Sequence, residues 1–147
     1  MKSEFLSHCI LLARQKAQSL EKELASTREA TSSESKSTAG DKHETGRAMM
    51  HLEQEKLHMQ LAEAQNVSAE LERINPSVAQ DKISLGSLIE TDKGKFFLAA
   101  GLGKVVFKET AFFVVSPKAP ISAQFIGKKA GHTASMNGML YKILSVK

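Results

Sequence analysis

Two carboxylates in the first half of the chain have the spacing of either a helix cap or a small acidic site. Asp41 and Glu44 stand in the run Gly40-Asp41-Lys42-His43-Glu44, where the chain is expected to turn into a second helix. An Asp followed three residues later by a Glu has the form of a capping box, and acids are favoured at a helix N-terminus. The spacing alone favours capping and leaves a function of the pair open.

Other residues with reactive side chains lack a chemical setting. Cys9 is one position before an apolar helix position and is expected to be a small, half-buried side chain. His51, Glu55 and His58 share one helical face, but their neighbours are polar, so a solvated outer face is the expected structure and a metal site the alternative. The run 101–104, Gly-Leu-Gly-Lys, lacks the spacing of a phosphate-binding loop and predicts a hairpin turn.

Net positive charge is concentrated in the second half of the chain. Residues 1–75 carry 10 Lys and Arg against 12 Asp and Glu, whereas residues 76–147 carry 10 against 4. Lys128 and Lys129, with Lys118, could meet phosphates or an acidic protein surface. Stacking on nucleic acid would require exposed aromatic side chains among these lysines, and the phenylalanines stand in apolar runs that predict a core.

Length and composition limit the class of protein. A chain of 147 residues has room for one domain or two small ones. It has one cysteine, which favours a reducing compartment, so we expect a cytoplasmic protein. No window approaches the ~20 apolar residues of a membrane span, so no membrane partner is expected. Neither a Cys-His nor a Ser-His constellation stands out, and no small-molecule substrate is expected.

The first half predicts two helices. Apolar or small residues alternate at spacings of four and three, which is a heptad seam. The first seam comprises Leu6, Ile10, Ala13, Ala17, Leu20, Leu24, Thr27 and Thr31, and the second Met50, Gln54, Leu57, Leu61, Ala64, Ser68 and Leu71. The polar run 32–40 between them permits a reversal, so we expect an antiparallel helical hairpin; an intermolecular coiled coil is the alternative.

The second half predicts short strands and one short helix. The turn residues Ile74-Asn75-Pro76-Ser77 place a boundary between a helical arm, residues 1–75, and a β domain, residues 76–147. Strands are expected over 83–90, 95–100, 104–107, 111–115, 133–136 and 139–146, a rigid loop over 116–120, and one or two helical turns over 121–126. Asn137-Gly138 is the favoured type I′ turn pair. We expect an α+β protein in which five of these strands form an antiparallel sheet.

Two stretches resemble the bacterial Gre transcription elongation factors, which are transcript-cleavage factors of RNA polymerase. The run Gly40-Asp41-x-x-Glu44 is similar to the motif Gly-Asp-x-x-Glu-Asn-x-Glu-Tyr at the tip of that family's coiled coil. The run 119–131, Ala-Pro-Ile-Ser-Ala-Gln-Phe-Ile-Gly-Lys-Lys-Ala-Gly, is similar to its C-terminal Ser-Pro-Leu-Gly-x-Ala-Leu-Leu-Gly-Lys-x-x-Gly-Asp. With the order of hairpin and sheet, the resemblance spans nearly the whole chain.

The resemblance implies a function on RNA polymerase. It implies an FKBP-like C-terminal domain that docks at the rim of the secondary channel and a coiled coil that reaches toward the active site. Asp41 and Glu44 would then help hold the polymerase's magnesium ion during cleavage of backtracked RNA, so the chain is an accessory factor with no cofactor of its own. Pro120 and Ile121 would lie in the docking loop, where we also expect Lys118 to contact the partner. Nascent RNA is a further expected partner of the basic half.

Differences from the family motif leave a second function open. Thr45, Arg47 and Ala48 stand where the tip motif has Asn, Glu and Tyr. The alternative is therefore a non-cleaving regulator of the secondary channel, resembling the nucleoside diphosphate kinase regulators. A prolyl isomerase is disfavoured, because its pocket needs an aromatic cluster and this chain has one Tyr and no Trp.

Overall fold

The computed structural model describes the backbone of residues 1–35 and 41–147 and the side chains of residues 1–29 and 46–147. The described residues form two long helices, six strands and one short helix. In chain order these are α1 (Lys2–Ser35), α2 (Asp41–Glu72), β1 (Leu88–Thr91), β2 (Gly94–Leu98), β3 (Gly103–Phe107), β4 (Thr110–Val115), α3 (Pro120–Phe125), β5 (Thr133–Met136) and β6 (Met139–Val146). The predicted α+β layout, a helical hairpin followed by a sheet, is confirmed.

The chain forms two compact units. One comprises Leu12–Asn66, and the other comprises Met1–Leu11 with Val67–Lys147. The first contains most of the two long helices, and the second contains the sheet together with the first turns of α1 and the end of α2. The domain boundary at residue 75 inferred from the sequence stays a prediction.

The heptad seams predict the buried faces of the long helices. Every described seam residue is buried or half-buried, and Leu24, Leu57 and Ala64 are nearly inaccessible to solvent. Within the helical unit, Arg28 Nη2 lies 3.5 Å from His58 Nε2, so a side chain of α1 meets one of α2. Thr31 lies outside the residues whose side chains are described. Apolar contact at the seam, rather than helix propensity, accounts for most of the stability of such a pair.

The sheet is mixed, and this corrects the expectation of five antiparallel strands. Its order is β3-β4-β2-β1-β6-β5. β2 and β4 run parallel, with Phe96 beside Phe113, whereas the other neighbouring pairs are antiparallel. After β2, a bend over residues 99–102 carries the chain outward, and the hairpin β3-β4 then folds back so that β4 lies inside. Alternation in the sequence determines which residues form strands but does not determine their neighbours.

The predicted first strand is shorter than expected because a glycine turn interrupts it. The prediction covered residues 83–90, whereas β1 begins at Leu88. Gly86 has a φ of +89°, a conformation that L side chains rarely adopt, and an added Cβ would lie 3.1 Å from Ile74 Cγ2. Before this turn, Ile83 pairs with another segment: its N–H donates to Lys128 O at 2.8 Å, and its carbonyl accepts from Gly127 N–H.

Two hairpin turns show how local sequence and tertiary contacts share the control of geometry. Asn137 and Gly138 both have positive φ, 51° and 78°, which confirms the predicted type I′ turn. Lys108 and Glu109 also have positive φ, 49° and 66°, although neither is a residue that favours this region. The Lys108 ammonium lies 2.6 Å from the Glu4 carboxylate of α1, so a tertiary contact accompanies the unfavourable turn.

The two faces of the sheet contact different elements. On one face, the ring of Phe5 in α1 lies 4.3 to 5.5 Å, between centroids, from the rings of Phe97, Phe107 and Phe112. On the other face, α3 contributes Phe125 to a core whose buried members are Ile83, Ile89, Phe96, Leu98, Phe125, Ala134 and Ile143. None of the described helices combines the length and the apolar character needed to cross a membrane.

We expect Phe5→Ala to lower the free energy of unfolding by about 3–5 kcal/mol, because the substitution leaves a cavity among three rings. Urea denaturation followed by circular dichroism measures the change. Leu11→Ala is the matched control, since Leu11 lies on the same helix and is 52% exposed. Equal losses in the two variants would show that the aromatic contact does not hold α1 in this unit.

Candidate partner-binding site

The predicted acidic pair stands at the beginning of α2, which starts at Asp41. The side chains of Asp41 and Glu44 lie outside the described residues. Their roles as metal-assisting carboxylates therefore stay predictions of the sequence.

The loop before α3 is held by hydrogen bonds to Ser116. Lys118 N–H donates to Ser116 Oγ at 3.1 Å, and Ala119 N–H donates to Ser116 O at 3.0 Å. The buried hydroxyl of Ser122 donates to the same carbonyl at 2.6 Å. Three hydrogen bonds thus fix the path of residues 116–122, in agreement with the rigid loop that the sequence predicts.

The three predicted partner-binding residues differ in exposure. Lys118 and Pro120 are exposed, and no carboxylate within the described part of the chain pairs with the Lys118 ammonium. Pro120 occupies the first turn of α3, where its fixed φ suits a helix start and its missing N–H costs nothing. Ile121 is half-buried and packs against the core beneath α3. The loop therefore presents a cation and a proline to solvent on a backbone that is anchored by an apolar side chain.

The short helix is fastened to the sheet by aromatic packing. The Phe125 ring lies 5.1 Å from the ring of Phe96 and 6.1 Å from that of Tyr141. The predicted helix over 121–126, ending at Gly127, is confirmed within one residue, and Gly127 has a φ of +85°. The segment that resembles the Gre motif thus forms a loop, a helix and a turn on one rigid support.

The turn after α3 gathers cations. Lys82 and Lys129 are opposite each other in an isolated antiparallel bridge, and Lys128 follows the same turn. One carboxylate, that of Asp81, lies 3.9 Å from Lys129 Nζ. Lys128 Nζ donates to Thr133 O at 2.8 Å. Like charges placed directly opposite each other are unfavourable, so this region suits an anionic surface.

The other residues that the sequence analysis considered for chemistry lie at exposed or structural positions. His51, Glu55 and His58 are exposed, and the described residues contain no group of three metal-ligating side chains suited to an ion. Residues 101–104 form a bend and the start of β3, but β4 lies between β2 and β3 in the sheet, so the prediction of a hairpin turn is wrong. Cys9 is fully buried rather than half-buried. Burial raises the pKa of the Cys9 thiol to about 12, so the thiol is protonated at neutral pH.

Sequence reasoning missed Phe113, which it assigned to the core. Phe113 is 40% exposed, whereas its neighbour Phe112 is buried. Adjacent strand residues point to opposite faces, so two consecutive phenylalanines cannot both occupy the same face. This alternation was the signal in the sequence that one of the two rings faces away from the other. Which of the two faces of the strand is exposed depends on the elements that pack against it.

Comparisons with known proteins show a likeness to a solved structure, and it is distant. No family model matches the chain, and neither does any curated protein. Among solved structures, that of the transcription factor Gfh1 is similar over 97% of this chain and 91% of its own, with 14% sequence identity and a TM-score of 0.35. A likeness this distant does not place the chain in a family.

The Cys9 thiol is expected to react with an alkylating reagent at pH 8 about a thousandfold more slowly in the native protein than in denaturant. The ordinary pKa of the thiol is 9.0, and its pKa in the folded protein is about 12. At pH 8 the fraction of reactive thiolate is therefore about a thousandfold lower in the native protein than in denaturant. Mass spectrometry follows the reaction, and the chain has one cysteine, so the signal has one source.

The raised pKa of Cys9 also determines how its contribution to folding stability changes with pH. A raised folded pKa contributes stability that is present below pH 9.0 and is lost as the pH rises toward about 12. Cys9→Ala is the control, because it removes this titration. Rapid native labelling at pH 8 would contradict the burial of the thiol.

Proposed function

We propose that the chain is a transcription factor of the Gre type, which binds bacterial RNA polymerase in its secondary channel and stimulates the polymerase's own cleavage of backtracked RNA. The observation that carries the proposal is the segment 119–131. It has the sequence pattern of the Gre C-terminal motif, and it folds as an exposed loop and helix anchored by Ser122 and Phe125. A rigid, solvent-facing support is what docking onto a large partner requires.

The order of elements supports the same proposal. A helical hairpin with a largely apolar seam precedes the sheet, and the acidic pair stands where the second helix begins. Helices of 34 and 32 residues are each roughly 50 Å long at 1.5 Å per residue, a length that would suit a hairpin reaching into a deep channel. The docking surface and the acidic pair would then serve two separable tasks, binding and chemistry.

The chemistry would be that of hard oxygen ligands. Asp and Glu oxygens suit magnesium, and a spacing of three residues within a helix places two residues on one face. Asp41 and Glu44 would complete the coordination of the ion that the polymerase holds and so orient the attacking water. In this mechanism the chain contributes ligands to another protein's active site and is not itself an enzyme.

A non-cleaving regulator of the same channel is the second candidate. Arg47, which follows the acidic pair by three residues, is exposed and stands where the family motif has Glu. A cation at this position lowers the negative charge available to a metal ion. Binding without stimulated cleavage would be the result.

The Asp41→Ala/Glu44→Ala double variant is expected to slow cleavage in stalled, backtracked elongation complexes by roughly two orders of magnitude, as for loss of groups that stabilise transition-state charge. Release of short 3′ RNA fragments in the presence of magnesium measures the rate. Glu63→Ala/Glu70→Ala is the matched control, since both residues are exposed acids of α2.

Three results separate the candidates. Cleavage by wild type and by the control, but not by the tip variant, supports a cleavage factor. Binding without cleavage by wild type favours the regulator, and the Arg47→Glu variant should then stimulate cleavage. Loss of folding in the tip variant, seen by circular dichroism, would assign the acidic pair to helix capping.

Lys118→Glu is expected to weaken polymerase binding about tenfold, because it places a like charge against an acidic partner surface while leaving the backbone hydrogen bonds to Ser116 intact. Surface-immobilised polymerase measures the affinity at two salt concentrations. Lys142→Glu is the control, as an exposed lysine of β6 distant in sequence from the loop. Equal losses in both variants would show that net charge alone, rather than the loop, governs binding.

A further inference from the structure

The face of the sheet that α3 covers stays open on β3 and β4. Lys104, Val106, Ala111 and Phe113 alternate along these strands and are all exposed, while their neighbours Val105, Phe112 and Val114 are buried on the opposite face. Val106 and Phe113 are 59% and 40% exposed. Phe113 is the one phenylalanine among the described residues that the structure leaves this accessible.

Three aromatic rings cross this face in a row. The rings of Phe113 and Phe96 lie 5.6 Å apart, and those of Phe96 and Tyr141 lie 5.8 Å apart in an edge-to-face arrangement. Phe96, in the middle, is 6% exposed, whereas Phe113 and Tyr141 at the ends are in contact with solvent. We name Phe113, Phe96 and Tyr141 the aromatic row. Phe125 of α3 also packs on Phe96 and Tyr141, so Phe113 is the most open ring of the row.

A lysine stands at each end of the aromatic row. Lys104 is the cross-strand partner of Phe113 in the β3-β4 pair, and it has no carboxylate partner within the part of the chain that the structure describes. Lys93 Nζ lies 5.8 Å from the centre of the Tyr141 ring, and its charge is shared with Asp92 at 3.6 Å. The Lys93 ammonium also donates to Leu140 O, so Lys104 is the less engaged of the two cations beside the accessible rings.

The two lysines and the accessible rings suit a ligand that carries both anionic groups and flat rings. Residues 76–147 contain ten lysines and no arginine, so an anion is bound in this half of the sequence by point charges rather than by a planar fork. Lysine binds phosphate as a point charge. Flat, accessible rings provide in addition a stacking surface that any unpaired base can use.

We infer that the aromatic row, with Lys104 and Lys93 beside it, is a binding surface for single-stranded nucleic acid. A base stacks on Phe113, and the backbone phosphates lie at the lysines. Duplexes are excluded from stacking because their bases are already stacked on one another. The inference goes beyond the proposed function and does not depend on it, since it concerns the isolated protein and a free strand.

Fluorescence anisotropy of a labelled oligouridylate of about ten nucleotides tests the surface, at a length typical for one small binding domain. Phe113→Ala is expected to weaken binding by roughly 5- to 100-fold, the range for loss of one stacked base, and Phe113→Tyr to retain it. Lys104→Gln should reduce the slope of log affinity against log salt by about 0.7, one phosphate contact to a single strand.

Matched controls lie on the other face of the sheet. Leu140→Ala removes an apolar side chain that is 61% exposed, and Lys142→Gln removes a positive charge on the same strand as Tyr141. Both alternate with Tyr141 along β6 and should leave the affinity unchanged. Circular dichroism verifies folding, and Phe113→Ala is expected to fold because the ring is partly exposed.

Two results would overturn the inference. Equal binding of single-stranded and duplex RNA, with no effect of Phe113→Ala, would mean attraction by net charge alone. Absence of binding to the oligouridylate, together with a loss of polymerase affinity in Phe113→Ala, would mean that this face docks a protein. The binding of free RNA is measured without polymerase and does not depend on Asp41 and Glu44. The inference can therefore fail while the proposed function holds, and the reverse is also true.

Discussion

The packing of Phe5 among three rings of the sheet is the contact on which the sheet-containing unit depends. Helix α1 begins at residue 2, and its first turns carry Phe5, Leu6 and Cys9, all buried. A β domain of about 70 residues has a small core of its own, and the start of α1 adds apolar area to one face of its sheet. Leu71, in the last turn of α2, and Ile74, just after that helix, are also buried. The unit thus includes the first turns of α1 and the last turn of α2.

Covering one face of the sheet with α1 leaves the other face to a helix of six residues. α3 is too short to cover six strands, and only two of its residues, Ser122 and Phe125, are buried. The result is a face that is closed near β1, β5 and β6 and open over β3 and β4. Both the loop 116–120 and the aromatic row lie along this incompletely covered face, which relates the two proposals through one feature of the fold.

Charge is distributed in keeping with this division. The second half of the sequence has ten lysines against four acids, and several of these lysines have specific partners. Lys108 pairs with Glu4, Lys93 with Asp92, and Lys129 lies near Asp81. Such exposed pairs contribute little to stability. The excess positive charge of this half is therefore available to bind anionic partners, because little of it is needed to stabilise the fold.

Much of the architecture was determined by the sequence itself. The heptad spacing predicted the buried face of both long helices, since a period of 3.5 residues can keep one face apolar over many turns. Asn137-Gly138 predicted its turn, because both residues tolerate a positive φ. The end of α3 at Gly127 followed from the same property. Each of these features is local, so the residues concerned contain the information.

Other features were decided by tertiary structure alone. The parallel pairing of β2 with β4, the shortening of β1 and the choice of Phe112 over Phe113 as the buried ring depend on which segments meet across the sheet. The predicted partner residues Lys118, Pro120 and Ile121 were found on one loop, yet only packing distinguishes the anchoring Ile121 from its exposed neighbours. Strand alternation assigns residues to two faces but cannot say which face is covered, because covering depends on contacts between residues far apart in the chain.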